Sequence, residues 1–192
     1  MRSRSTTASQ LKKAINELSK QNVTSVIFDL RGTSNGTIDY AAKALDVLVP
    51  VASECSVAIA TALDKDGNIT DTFTTDADSV SMQMMVLVNN QTSGPAELFA
   101  CDLRDFGKAQ LVGTTTNGNG TMQKAYQLSD GGAIILTVAE IKPYVSASYN
   151  SVGVVPDYEV KLDSEKEAKL AILSQEDDDQ YKKAYDVLVG EN

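Results

Sequence analysis

The chain has 192 residues, a net charge of −9 from 17 basic and 26 acidic side chains, and neither histidine nor tryptophan. Its length suits one domain, and its acidic balance argues against a nucleic-acid or anionic-membrane surface, which needs clustered positive charge. Without histidine, Ser-His-Asp and Cys-His catalysis and H-E-x-x-H zinc sites are excluded, so a hydrolase would have to use Ser, Thr, Lys or carboxylates. We therefore expect no metal ion and no cofactor. No apolar run approaches the roughly 18–20 residues that a membrane span needs.

The first half of the chain alternates between helix and strand patterns. Apolar residues at i, i+3, i+4 and i+7 predict an amphipathic helix over residues 7–20. Pro95 at a first helical position and Gly107 just after Phe106 bracket a helix that runs between them. The other elements predicted in this half are a buried strand at 23–30, a Gly-rich loop at 32–36, a helix from Ile38 to Leu48 that stops before Pro50, a strand at 56–63, a hairpin turn at Asp66-Gly67 before a weak strand at 69–74, and a strand at 84–89.

The second half is mostly β in pattern. Short apolar or alternating runs predict strands at 109–112, 122–128, 133–138 and 152–160. Further along, Ser164 and Glu167 have capping-box spacing and predict a helix to residue 173, and the acidic run at 176–179 is typical of a solvated start to a final helix over 181–188. This order of elements favours a layered α/β domain with a mixed sheet.

The two cysteines, Cys55 and Cys101, have neither the spacing of a metal site nor that of a disulfide framework. Cys101 falls on an apolar helix face, where a buried free thiol is the ordinary interpretation.

Five segments carry short motifs. Residues 28–36 read FDLRGTSNG, and residues 86–97 contain VLVN followed by TSGPAE. Residues 105–113 contain DFGKA and VG, residues 118–123 read GNGTMQ, and residues 153–157 read GVVPD. In this order and spacing they resemble the C-terminal processing peptidases (tail-specific proteases), whose corresponding motifs are D-L-R-G-N-x-G-G, T/S-A-S-A-S/A-E, D-x-G-x-A…V-G, G-K-G-x-x-Q and G-x-x-P-D. The resemblance implies a serine peptidase core with a mixed-sheet, Clp-protease/crotonase-like α/β fold.

In that family a serine at the strand–helix turn attacks the peptide carbonyl, and an uncharged lysine takes its proton. A glutamine four residues after the lysine holds the amine in place. Carried over by register, the serine position is Gly94, the lysine position is Asn119 and the glutamine position is Gln123. Nucleophile and base are therefore both missing, because a neutral amide does not accept a proton usefully near neutral pH.

The resemblance also implies an oxyanion site. Its N–H groups would come from the Gly-rich loop, with Gly32, Asn35 and Gly36, and from the residue after the serine. That residue is Pro95, which has no N–H.

Two interpretations of the neighbouring residues stay open. Ser93 is an alternative nucleophile, one residue early, which would need Lys124 or Lys108 as its base. Equally, Ser93 and Gly94 form an ordinary helix cap before Pro95. In that case the Asn-Gly pairs at 117–118 and 119–120 are tight-turn dipeptides without a role in catalysis.

We therefore predict one peptidase-core domain over residues 1–192, without the family's PDZ domain and as a piece of a longer protein. The predicted function is that of a tail-specific peptidase-like pseudoenzyme that binds polypeptide or protein C-termini by strand addition. The alternative is an active serine endopeptidase that uses Ser93 with a non-standard lysine. The resemblance implies an extracytoplasmic location, and a homo-oligomer stays open.

Overall fold

A computed structural model describes residues 6–49, 56–75 and 80–190 of the chain. The described part folds into five α-helices, eight β-strands and a short 3-10 turn. The elements are α1 (Thr6–Lys20), β1 (Ser25–Asp29), α2 (Ile38–Leu45), β2 (Val57–Leu63), β3 (Ile69–Thr75), β4 (Gln83–Val88), α3 (Pro95–Asp105), β5 (Ala109–Gly113), β6 (Thr121–Gln127), β7 (Ala133–Pro143), β8 (Tyr158–Glu159), α4 (Ser164–Ala168), the 3-10 turn (Leu170–Ile172) and α5 (Asp179–Val189).

One sheet is wholly parallel, with strand order β1-β4-β5-β8. Ser25 of β1 lies opposite Gln83 of β4, and Val88 of β4 lies opposite Gly113 of β5. Parallel strands present their carboxyl ends at the same edge, so the loops that follow β1, β4 and β5 meet there. Ligands of open α/β sheets bind outside this edge.

The second sheet is antiparallel, with strand order β3-β2-β7-β6. The end of β7, from Glu140 to Pro143, pairs with β2, whereas its earlier residues pair only with β6. β6 is an edge strand of this sheet. The β6–β7 hairpin therefore extends beyond the other two strands, and its apolar residues Ile134, Ile135 and Leu136 are exposed.

Both faces of the parallel sheet are covered, as strands of such sheets require. Side chains of a strand alternate between faces, so Val86 and Val88 of β4 join the large core formed with α1, α2 and α3. Met85 and Leu87 face the other way, into a smaller cluster closed by Ala184 and its neighbours on α5.

The α/β class with parallel and antiparallel strands is confirmed, and the two strand types lie in separate sheets. The strand predicted at 152–160 is wrong in extent, because only Tyr158 and Glu159 pair with β5. Ahead of them, Val154 exchanges hydrogen bonds with Thr116, a loop residue, and Pro156 has no N–H to donate.

The capping box predicted for α4, with Ser164 as its N-cap, is also wrong. The N-cap is Asp163, whose carboxylate accepts a hydrogen bond from Lys166 N at 2.8 Å. Ser164 is already helical, and α4 ends at Ala168 before the 3-10 turn. The acidic run at 176–179 does begin a helix, but Asp178 is buried rather than solvated. Cys101 is buried and free as predicted, whereas Pro50 and Cys55 lie outside the described residues.

Candidate functional site

The turn between β4 and α3 is fastened to the loop that follows β1. Asn89 Oδ1 accepts hydrogen bonds from Gly32 N at 3.0 Å and Gln91 N at 3.1 Å. The Thr92 hydroxyl donates to Leu30 O at 2.9 Å and accepts from Asn89 N at 3.0 Å. The carboxyl ends of these two neighbouring strands therefore form one rigid platform, and α3 starts from it.

Gly94 is the last residue before α3 and has a backbone conformation that suits glycine. Its φ of 63° and ψ of −118° lie in a region where L-residues are strained, at a cost of about 1–3 kcal/mol. Pro95 follows as the first helical residue, where a missing N–H costs the helix nothing. The local sequence is therefore well matched to a sharp strand–helix turn.

A buried carboxylate joins this turn to a second loop. Glu97 has no exposed surface, and its Oε2 accepts hydrogen bonds from Gly94 N and Asn119 N, each at 2.8 Å. Its Oε1 accepts from Gly118 N at 2.6 Å and from the Thr116 hydroxyl. Glu97 thus holds the start of α3 against residues 116–119, about twenty residues further along the chain.

This arrangement brings Gly94 and Asn119 together. A Cβ built on Gly94 would lie 3.8 Å from Asn119 Nδ2, with no closer atom around it. Asn119 Oδ1 accepts a hydrogen bond from the Thr121 hydroxyl at 3.0 Å, and the residue is exposed. Neither Gly94 nor Asn119 supplies a hydroxyl or an amine to the space between them.

An apolar groove of about 530 Å³ opens beside the turn. The Gly-rich loop forms one rim, with Asn35 and with Gly36, whose Cβ position lies 3.8 Å from Pro95 Cγ. Phe28 and Phe99 line the groove and meet edge to face, with ring centroids 5.6 Å apart. The groove suits an apolar side chain of a bound peptide.

The model of peptidase family S41 matches residues 1–160. The chain belongs to peptidase family S41. It is 31% identical over 163 residues to the chloroplastic C-terminal processing peptidase of Tetradesmus obliquus, and the match covers 84% of this chain and 33% of that protein. It is 27% identical over 176 residues to a carboxyl-terminal-processing protease of Picosynechococcus sp., with 92% and 41% covered.

Among solved structures, the photosystem II D1 C-terminal processing protease matches with a TM-score of 0.73 and 29% identity. The match covers 82% of this chain and 40% of that one. The resemblance to C-terminal processing proteases and the Clp-protease-like fold class are therefore confirmed. The S41 chain described here spans between 29% and 41% of the length of curated relatives that it matches.

Among the described residues of this S41 domain, no lysine is hydrogen-bonded to Ser93. Its hydroxyl donates to Asn117 Oδ1 at 3.4 Å, and its N–H donates to Thr33 O. Lys108 follows the opposite end of α3, an 11-residue helix of about 16 Å, and its amine donates to Val80 O at 2.9 Å. Lys108 is thus a half-buried bonded residue rather than a solvated turn residue. Lys124 is exposed on β6, next to the exposed Gln123.

The Gly-rich loop of the S41 domain is held from behind by an ion cluster that the sequence did not reveal. The Arg31 side chain is 5% exposed, and its Nη2 lies 2.6 Å from Asp29 Oδ2 and 2.7 Å from Asp178 Oδ2. Its Nη1 also donates to Gln180 Oε1 at 2.9 Å. Burial, the largest single influence, lowers the pKa of Arg31, but the hydrogen bonds that Arg31 donates to the carboxylates of Asp29 and Asp178 outweigh it and raise that pKa. Helix α5 therefore helps to position the loop.

Sequence reasoning also missed the roles of Thr116 and Tyr149. The Tyr149 hydroxyl donates to Gly94 O at 3.3 Å, from a side chain that burial keeps uncharged by raising its pKa. Neither residue lies in a motif whose spacing predicts the contact of Thr116 with Glu97 or of Tyr149 with Gly94.

Within residues 6–49, 56–75 and 80–190, no group of three or more Cys, Asp or Glu side chains is arranged to hold a metal ion. None of the helices in those ranges has the length and apolar character to cross a membrane.

Proposed function

We propose that this S41 domain is a proteolytically inactive member of the C-terminal processing peptidases that binds extended polypeptide segments. The observation that carries the proposal is the juxtaposition of Gly94 and Asn119. By the register of the resemblance these residues occupy the family's serine and lysine positions, and a Cβ built on Gly94 would lie 3.8 Å from Asn119 Nδ2. Acyl transfer needs a nucleophile beside a base, and this pair supplies neither.

The oxyanion side supports the same conclusion. Pro95 occupies the position whose N–H would stabilise a tetrahedral oxyanion, and proline has no N–H. Gln123 matches the family's glutamine but has no lysine amine to hold. Loss of nucleophile, base and one oxyanion donor together is what relaxed selection on catalysis would leave behind.

The surfaces that contact a peptide are nevertheless present. β6 is an edge strand, so its outer backbone N–H and C=O groups are available for an added strand. A second groove, of about 320 Å³, is lined by Gln123 and Lys124 of β6 together with residues that include Asp39 and Phe73. The larger groove near Pro95 would take an apolar side chain of the bound peptide. We propose polypeptide C-termini as partners, by analogy with the names of the relatives, and an extracytoplasmic location stays a prediction.

Activity is tested with a serine-directed fluorophosphonate and an unfolded protein substrate. We expect neither labelling nor hydrolysis of the parent chain. Labelling that Ser93→Ala abolishes would instead establish the alternative, an active endopeptidase with its nucleophile one residue early. The combined variant Gly94→Ser, Pro95→Ala and Asn119→Lys rebuilds the family's residues, and a gain of labelling in it would support the proposal. Asn119→Lys alone should gain nothing, because a base without a nucleophile forms no acyl-enzyme.

Binding is tested with a fluorescent peptide that ends in an apolar residue, followed by anisotropy. Leu11 lines the larger groove, and its neighbour Gln10 is exposed outside it. Leu11→Glu should weaken binding by about tenfold or more, because it places a charge on an apolar wall. Gln10→Glu adds the same charge and should leave the affinity unchanged. Equal effects of the two substitutions would refute the assignment of the groove.

A further inference from the structure

The segment that follows β7 lies along α3 and is held there by two carboxylates; we call residues 144–149 the strap. Tyr144 N donates to Asp102 Oδ1 at 3.0 Å. Val145 N and Ser146 N donate to Asp105 Oδ2 at 2.9 Å and 2.7 Å. Asp102 and Asp105 therefore fasten the first half of the strap to the second half of the helix.

The other end of the strap reaches the candidate site. Tyr149, only 2% exposed, donates its hydroxyl hydrogen to Gly94 O. Immediately after it, Asn150 Oδ1 accepts a hydrogen bond from Gly120 N at 3.3 Å, and Ser151 N donates to Gly118 O at 2.8 Å. A displacement of the strap from α3 would therefore also change these hydrogen bonds to the turn that carries Asn119.

The two carboxylates that hold the strap differ in their surroundings. Asp105 is half-buried, and both of its oxygens accept hydrogen bonds from the strap. Asp102 has no exposed surface, and within the described residues its Oδ2 has no hydrogen-bond partner. A buried carboxylate with one N–H donor and no cation is far more stable in its uncharged form.

The groups that face Asp102 do not offset its charge. Asp105 is a nearby carboxylate on the same helix, and the adjacent Cys101 thiol has its pKa raised to about 12 by burial. From the strap side, Tyr149 is kept neutral by burial and by the Glu97 charge, while Tyr144 contributes its backbone N–H. Burial, the largest influence, and Asp105 together raise the pKa of Asp102 to about 8, against the Tyr144 N–H.

We propose that Asp102 is a pH-responsive latch: its carboxyl group is uncharged while the strap is closed and ionises when the strap opens to water. The pH of the solution then sets how often the strap is open, and through the strap it affects the turn that carries Asn119. Tyr144 and Val145 are themselves exposed, so the first half of the strap is able to separate from α3, with loss of the ring stack between Tyr144 and Phe106, while Tyr149 keeps its place in the core.

The sign of the pH effect follows from linkage. In the open strap Asp102 titrates near its ordinary pKa of about 3.9, and in the closed strap near 8. Between these values the open form has lost a proton that the closed form keeps. The opening equilibrium constant therefore rises by up to about tenfold per pH unit from about pH 4 to pH 8, and it levels off above that.

The test is amide hydrogen exchange of residues 143–150 from about pH 5 to pH 9, corrected for the intrinsic pH dependence of exchange. We expect protection of the strap to fall steadily to about pH 8 and then to level off. Asp102→Asn keeps the oxygen that accepts a hydrogen bond from Tyr144 N, and its side chain cannot ionise. The protection of the strap amides in this variant should therefore not vary with pH. Glu176→Gln, which removes one exposed carboxylate, should behave like the parent.

A second measurement on the parent chain does not depend on any variant folding. The carboxyl carbon resonance of Asp102 should titrate near pH 8 in isotope-labelled protein. Titration near the ordinary aspartate value would overturn the proposal, as would a strap whose protection is independent of pH. A pH dependence that persists in Asp102→Asn would assign the response to another group and would equally refute the latch.

Discussion

The Glu97 carboxylate offers the sharpest test of how the site is held together. Glu97→Ala removes the acceptor of four hydrogen bonds. Two of the stranded donors, Gly94 N and the Thr116 hydroxyl, belong to buried residues and each costs about 1–2 kcal/mol when left unpaired. Gly118 N and Asn119 N lie nearer to water and add less. With the packing lost by the side chain, we expect a decrease of about 3–5 kcal/mol in the free energy of unfolding, a large share of the ~5–15 kcal/mol typical of a domain.

The assay is urea unfolding followed by circular dichroism, with Glu140→Ala as the matched control. Glu140 is exposed on β7, so its removal should change the stability by no more than about 0.5 kcal/mol. Glu97→Gln keeps the shape and one acceptor oxygen and should fall between the two. Equal unfolding midpoints for Glu97→Ala and Glu140→Ala would refute the conclusion that Glu97 holds the two loops together.

Three further predictions concern the rest of the framework. Asp178→Ala leaves the buried Arg31 with one carboxylate fewer and removes the N-cap of α5, so urea unfolding should show a loss of about 2–4 kcal/mol. A Cβ on Gly113 would lie 1.9 Å from a backbone oxygen of β4, so Gly113→Ala should lower the melting temperature far more than Gly131→Ala, where nothing lies within 4 Å. Because the pKa of Asp102 is raised to about 8, stability should decline from about pH 4 to pH 8 by at most ~1.4 kcal/mol per unit, and Asp102→Asn should remove that decline in unfolding curves.

Most elements were predictable from local patterns. The helix from Pro95 and the strand at 84–89 were found because helical and strand periodicities are properties of neighbouring residues, as are proline and glycine boundaries. The order of five motifs was enough to recognise the family and the fold class. Register counted from Glu97 predicts that positions 94 and 119 are the family's serine and lysine positions, and the structure brings these two residues together.

The failures have a common cause. The strand predicted at 152–160 was apolar enough, but Val154 is taken up by Thr116, a partner 38 residues away that no local pattern reveals. Likewise Asp178 was predicted to be solvated because its neighbours are acidic, but it forms a buried ion pair with Arg31, which is far away in the sequence.

The sequence by itself determined the α/β class and the family, and it predicts Gly94 and Asn119 at the family's serine and lysine positions. Only the tertiary structure decided that Glu97 joins two loops, that Arg31 pairs with Asp178 at the start of α5 and that Asp102 is buried beneath the strap. Secondary structure and motif order depend on residues close in the chain. Hydrogen-bond partners and desolvation depend on which distant segments the topology brings into contact, and these contacts decide whether a carboxylate is a clamp, a counter-ion or an uncharged acid.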